Sequence, residues 1–162
     1  VTIIAAIISL STILAAGVVA TPALAANITG PICNSFGHMY CIGAPSLSNG
    51  SPVVLTSSGR TITELDQNFK TGNGFEVYRL QITATANTTS QCLGIAASGN
   101  ITLRDCSGGN SNNTNWAKEF ATGGIVWISN TTGLNLTSDN ALNDQLFQDG
   151  DGCRGCYFRW NN

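Results

Sequence analysis

Apolar residues along most of this chain fall into short runs separated by turn residues, a pattern that predicts β-strands rather than helices. The pattern is clearest from Gln91 to Ser129. There Cys92 opens a short apolar strand and Cys106 closes a second one. A Ser/Gly/Asn loop follows, then a strand centred on Trp116, a Gly-Gly turn and a strand around Trp127. Helical spacing stands out at one place, where Ile62, Leu65 and Phe69 are placed at i, i+3 and i+7. That segment, Thr61 to Phe69, is expected to be a strand followed by one helical turn, inserted in the longest gap between strands.

The same order of strands recurs on both sides of the central stretch. Ile32-Cys33-Asn34 with Cys41-Ile42-Gly43-Ala44 corresponds to Gln81-Ile82-Thr83 with Cys92-Leu93-Gly94-Ile95. The third version is Trp127-Ile128-Ser129-Asn130 with Gly133-Leu134-Asn135-Leu136. The next strand is Val53 to Thr56, then Ile101 to Arg104, then Gln145 to Phe147. An aromatic strand ends each unit, at Phe75 to Tyr78, Asn115 to Lys118 and Tyr157 to Trp160.

One hairpin cannot bury its apolar face alone, whereas several packed around a shared core can. A four-strand unit repeated three times therefore predicts an all-β chain folded as a β-trefoil. The N-terminal segment Ile28 to Asn34 is expected to pair with the strand around Phe158 and complete the third unit. Trp116, Phe158, Ile82, Ile128, Leu103 and Leu55 are the expected core.

The first 25 residues carry no charge and end in Ala23-Leu24-Ala25 after Pro22. An apolar run followed by a small-x-small site predicts a signal peptide over residues 1–25. The domain then spans residues 26–162, which is 162 − 25 = 137 residues and suits a single core. Six cysteines remain. An even count behind a secretory signal predicts disulfides and an extracellular location. Hairpin-like spacing favours Cys92–Cys106 and Cys33–Cys41, which leaves Cys153–Cys156. The C-R-G-C spacing of the last pair also fits a redox pair or half a zinc site. It lacks the βαβ context of the former and a second ligand pair for the latter.

Seven Lys/Arg against nine Asp/Glu give a net charge of −2. That balance has no electrostatic footprint for nucleic acid, and no basic amphipathic helix suits a membrane surface after signal cleavage. N-x-S/T sequons start at Asn27, Asn49, Asn87, Asn100, Asn112, Asn130 and Asn135.

With Cys92-Leu93-Gly94, the Ile101 to Cys106 strand and the aromatic strand at Trp116 in place, the chain resembles the ricin B-type lectin family. The likeness covers most of residues 32–160 and looks closest to small secreted actinobacterial members with a single domain. It implies a non-catalytic module that binds sugars in shallow pockets without a cofactor. Sugar sites of the family use an Asp after the Cys-Leu pair, an aromatic at the end of the next strand, and an amide before the aromatic strand. A carboxylate accepts hydrogen bonds from neighbouring hydroxyls while a ring covers the apolar face of a pyranose.

In this chain the resemblance puts Gly43, Gly94 and Asn135 at the Asp positions. Thr56, Arg104 and Phe147 fall at the aromatic positions, and Thr114 and Cys156 at the amide. The third unit is thus the one expected to bind glycan or polysaccharide, through Asn135 and Phe147. An Asp in place of Asn135 is expected to bind more strongly.

Other chemistry has less support. Asp139, Asp144, Asp149 and Asp151 with Asp149-Gly150-Asp151-Gly152 suggest a calcium loop, but the closing Glu is absent, so no metal is expected. His38, the single histidine, has no partnered acid or nucleophile motif. The other function class is an extracellular protein partner, such as a hydrolase held by the loops Gly108 to Asn115 or Asn140 to Gly152.

Overall fold

The structure, a computed structural model, describes residues 28–35, 39–82, 91–107, 111–150 and 155–161. Among the described residues twelve strands form one sheet system: β1 (Thr29–Asn34), β2 (Cys41–Gly43), β3 (Val54–Thr56), β4 (Thr61–Lys70), β5 (Glu76–Ile82), β6 (Gln91–Ile95), β7 (Ile101–Asp105), β8 (Asn115–Ala121), β9 (Gly124–Ser129), β10 (Asn135–Thr137), β11 (Phe147–Asp149) and β12 (Phe158–Trp160). A single turn of 3-10 helix, Ser111–Thr114, stands before β8.

Six strands close a ring. β1 pairs β4, β4 pairs β5, β5 pairs β8, β8 pairs β9, β9 pairs β12, and β12 returns to β1, all antiparallel. The expected pairing of the N-terminal segment is present, with Ile32 opposite Trp160 and Asn34 opposite Phe158. Closing the ring removes the exposed edges an open sheet would leave.

Period-2 alternation explains what fills the barrel. Tyr78, Leu80 and Ile82 of β5 point inward, as do Ile62 of β4, Trp116 of β8, Trp127 of β9 and Phe158 of β12; all are buried. The remaining strands form three hairpins, β2–β3, β6–β7 and β10–β11, over one end of the barrel. Their backbones bond in a cycle around a shared axis. Val53 N donates to Ile101 O at 3.0 Å, Ile101 N to Leu146 O at 2.8 Å, and Leu146 N to Val53 O at 2.9 Å. The three side chains at those positions are buried in the same core as Ile42, Leu93 and Leu136.

Two disulfides are formed as expected, Cys33–Cys41 between β1 and β2 and Cys92–Cys106 across the β6–β7 hairpin. Cys156 is also disulfide-bonded. Its expected partner Cys153 lies outside the described residues, as does the expected signal peptide of residues 1–25.

Three expectations are corrected. Thr61 to Phe69 has no helical turn and is no insertion: it forms the ten-residue strand β4, a wall of the barrel. Its helical spacing is accidental, since Ile62 faces the core while Phe69 is exposed within an irregular register between Asp66 and Lys70. The segment expected at Phe75 to Tyr78 leads into β5, which begins at Glu76 and is continuous with Gln81-Ile82, and the turn before it is Thr71-Gly72-Asn73-Gly74. Ile128 is only half-buried, and Ser129 takes the inward place instead. A one-residue slip in a strand exchanges its two faces.

Candidate functional site

The hairpin faces are built from cross-strand neighbours. In β6–β7, Cys92 stands opposite Arg104 and Gly94 opposite Thr102. In β2–β3, Cys41 stands opposite Thr56 and Gly43 opposite Val54. Twist carries the glycine of each hairpin toward the residue diagonally across from it. A Cβ placed on Gly94 would collide with the Arg104 side chain and come within 3.1 Å of Thr114 Cγ2. One on Gly43 would lie 2.8 Å from Thr56 Oγ1.

The structure therefore gathers Gly94, Arg104 and Thr114 in one place, as the resemblance implied, but their space is filled. The Thr56 hydroxyl is engaged as well, donating to Cys41 O at 3.2 Å and accepting from Gly59 N at 2.8 Å.

In the third hairpin the register differs from expectation by two residues. Asn135 pairs with Ile128 of β9, just as Cys92 pairs with Gln81 and Cys41 with Cys33. Asn135 thus occupies the place of the cysteines, and Thr137 occupies the place of Gly43 and Gly94. Asp149, opposite Asn135, takes the place of Thr56 and Arg104, while Phe147 stands opposite Thr137. The reason is packing: Leu136 is fully buried beside Ile42 and Leu93, whereas Leu134 is exposed. Two leucines two residues apart satisfy the strand pattern equally, and only the core selects between them.

Asn135, Thr137, Phe147 and Asp149 nevertheless share one face of the β10–β11 hairpin. Asn135, Phe147 and Asp149 are half-buried there, and Thr137 is buried. The diagonal that the twist closes is Thr137 to Asp149; Asn135 to Phe147 is the diagonal that it opens. Asp149, absent from the expected site, brings the carboxylate that Asn135 lacks. Cys156, at the third amide position, is disulfide-bonded.

Among the described residues, other ionisable groups meet in pairs. Glu64 and Lys118 meet inside the barrel, Nζ to Oε1 2.6 Å. Burial pushes the Glu64 carboxyl up, and the Lys118 contact partly offsets this. Burial also raises the Tyr78 hydroxyl, which donates to Glu76 Oε2 at 2.6 Å; that bond in turn holds Glu76 low. The Asp144 carboxylate accepts from Ala141 N at 3.1 Å in a local turn. Among the described residues no three His, Cys, Asp or Glu side chains converge as a metal site. His38 and Asp151 lie outside those residues.

No protein-family model matches the chain. No curated protein matches it. Among solved structures it is similar to "Crystal structure of designed 3-fold symmetric protein, ThreeFoil", with 14% identity and a TM-score of 0.63 over 83% of this chain and 98% of that chain. At that identity the likeness speaks for architecture alone: the chain has a β-trefoil fold.

Proposed function

We propose that this chain is a secreted, non-catalytic glycan-binding module resembling ricin B-type lectins. A signal peptide over residues 1–25 would precede a domain over residues 26–162 made of three four-strand repeats. In support, β1–β4, β5–β8 and β9–β12 each run barrel strand, hairpin, barrel strand. The two disulfides are consistent with an extracellular compartment.

One observation carries the choice of site. Thr56 and Arg104 fill the space over Gly43 and Gly94, whereas the third hairpin carries an amide, an aromatic ring and a carboxylate, all half-buried, on one face. Phe147 offers a ring face to a pyranose, and Asn135 and Asp149 hydrogen-bond its hydroxyls. With one ring and no Trp, affinity is on the order of millimolar, about −4 kcal/mol.

Titration of the purified protein with galactose, lactose and xylan fragments, followed by NMR, tests the reading. Saturable shifts are expected at Asn135–Thr137 and Phe147–Asp149. Shifts confined to Gly43 or Gly94 refute the site. Silence with every sugar moves the function to a protein partner.

A further inference from the structure

A concavity lies on the outer wall of the barrel, bordering the third hairpin where Ile128 stands opposite Asn135. Its volume is about 410 Å³, and its floor is Ala117 of β8 beside Ile128 of β9. Phe75 and Asn73 stand on one side, in the β4–β5 turn; Ser129 and Asn130 stand on the other, where β9 leaves the barrel. The volume is at the small end of ligand pockets, which run from about 300 to 1,000 Å³. No charged side chain lines it.

The hollow exists because Ala117 is small. By register around the ring, Ala117 corresponds to Thr63 of β4 and Arg159 of β12. Those positions carry larger side chains that are engaged on the wall. Thr63 Oγ1 is 3.2 Å from Thr29 Oγ1, and Arg159 Nη2 donates to Met39 Sδ at 3.2 Å. At Ala117 only a methyl group occupies the corresponding space.

Both sides of the hollow are held by their own backbone. Thr71 N donates to Phe75 O at 2.9 Å, Gly74 N to Thr71 O at 2.9 Å, and Phe75 N to Thr71 Oγ1 at 3.2 Å. Opposite, Gly133 N donates to Ser129 O at 2.9 Å, and Thr131 N and Thr132 N donate to Ser129 Oγ at 3.2 and 3.1 Å. Walls set in advance lower the ordering cost of binding. The exposed amides of Asn73 and Asn130 take no part in these bonds. Each has two donors and an acceptor to offer a ligand.

We propose that this wall pocket is a second binding site, formed without Phe147 and Asp149 of the third hairpin, for a neutral pyranoside. A half-buried ring, an aliphatic floor and uncharged amides at the rim match a sugar ring with one apolar face and hydroxyls at its edge. An anionic or cationic ligand would find no ion-pair partner among the lining residues.

The test uses the full oxidised protein made in a host without N-glycosylation, because Asn130 begins a sequon. Methyl β-galactopyranoside and methyl β-glucopyranoside are the probes, with cyclohexanol and glucuronate as controls, followed by amide NMR. Saturable shifts are expected across Thr71–Phe75 and Ile128–Gly133 with at least one pyranoside. Phe75→Ala and Asn130→Ala should each weaken that binding fivefold or more, while Phe147→Ala leaves it unchanged. Ala117→Leu fills the floor and should abolish it; retained amide dispersion shows that the variant is folded, and the two rim variants carry the test if it is not. The proposal is overturned if both segments are silent with each pyranoside, if shifts survive Phe75→Ala and Asn130→Ala, or if cyclohexanol or glucuronate binds as tightly. Failure of the third hairpin to bind sugar leaves this result standing, so the two sites fail separately.

Discussion

Lys118 Nζ and Glu64 Oε1 lie 2.6 Å apart inside the barrel, with side-chain exposures of 5% and 3%. By register the two occupy corresponding places on β8 and β4, and Trp160 occupies the third on β12. The ammonium also lies 5.3 Å from the Tyr78 ring, 5.2 Å from Phe120 and 5.5 Å from Trp127. Three ring faces stabilise the cation independently of its carboxylate.

Removing the two partners should therefore cost unequal amounts. Lys118→Met leaves a buried carboxylate without its cation and should destabilise by about 3–5 kcal/mol. Glu64→Gln removes the group whose desolvation is the costly one and leaves the cation on its rings, so it should cost less. Glu64→Leu with Lys118→Met should be close to neutral or stabilising. Denaturant unfolding of the four proteins measures these differences; equal losses for the two single variants contradict the asymmetry.

The pH dependence follows from the direction of the Glu64 shift. Its carboxyl is raised above 4.5 by burial, so the folded state holds that proton more tightly than the unfolded state. The stability it contributes is greatest below 4.5 and falls as pH rises through the raised value. Wild type should thus lose stability relative to Glu64→Gln as pH rises from 4.5. Glu76 and Asp105 are lowered, by the Tyr78 hydroxyl and by the Ser107 backbone amide respectively. Their contributions are present above 4.5 and 3.8 and are lost as pH falls through the lowered values; being exposed, they are small. Unfolding curves at a series of pH values separate the opposing slopes.

Cross-link length ranks the disulfides. Cys92–Cys106 has a sequence separation of 14 and Cys33–Cys41 of 8. In the loop-entropy account these closures stabilise by about 3 and about 2.5 kcal/mol. Paired Cys→Ala variants should lose stability in that order on denaturant unfolding, and non-reducing peptide mapping checks both links.

The third hairpin reverses one expectation from the sequence. Asn135→Asp would set a carboxylate opposite Asp149, and like charges directly across a strand pair are destabilising. The variant should bind sugar no better than wild type and should melt lower. Phe147→Ala should abolish hairpin binding, and Asp149→Asn should weaken it. Calorimetric titration with lactose, beside thermal unfolding, reads both effects.

Much of the core was legible because strands alternate. Leu103 and Ile82 lie between polar residues, and with Trp116, Phe158 and Leu55 they are all buried. Legibility failed where the pattern was degenerate. Ile125, Val126, Trp127 and Ile128 form an unbroken apolar run, so which residues face inward depends on pairing with Trp116, which stands opposite Ser129. At β4, a register irregularity near Asn68, whose φ is 58°, made a strand look helical.

By itself the sequence determined the all-β class and the Cys33–Cys41 and Cys92–Cys106 pairings, because turn residues and hairpin spacing are local. Tertiary structure decided the two-residue register at Asn135, since burial of Leu136 beside Ile42 and Leu93 is a contact between hairpins distant in the chain. It also decided the meeting of Glu64 and Lys118, 54 residues apart, and the hollow over Ala117. These arise only when the sheet closes into a barrel and brings unrelated strands to the same height on its wall.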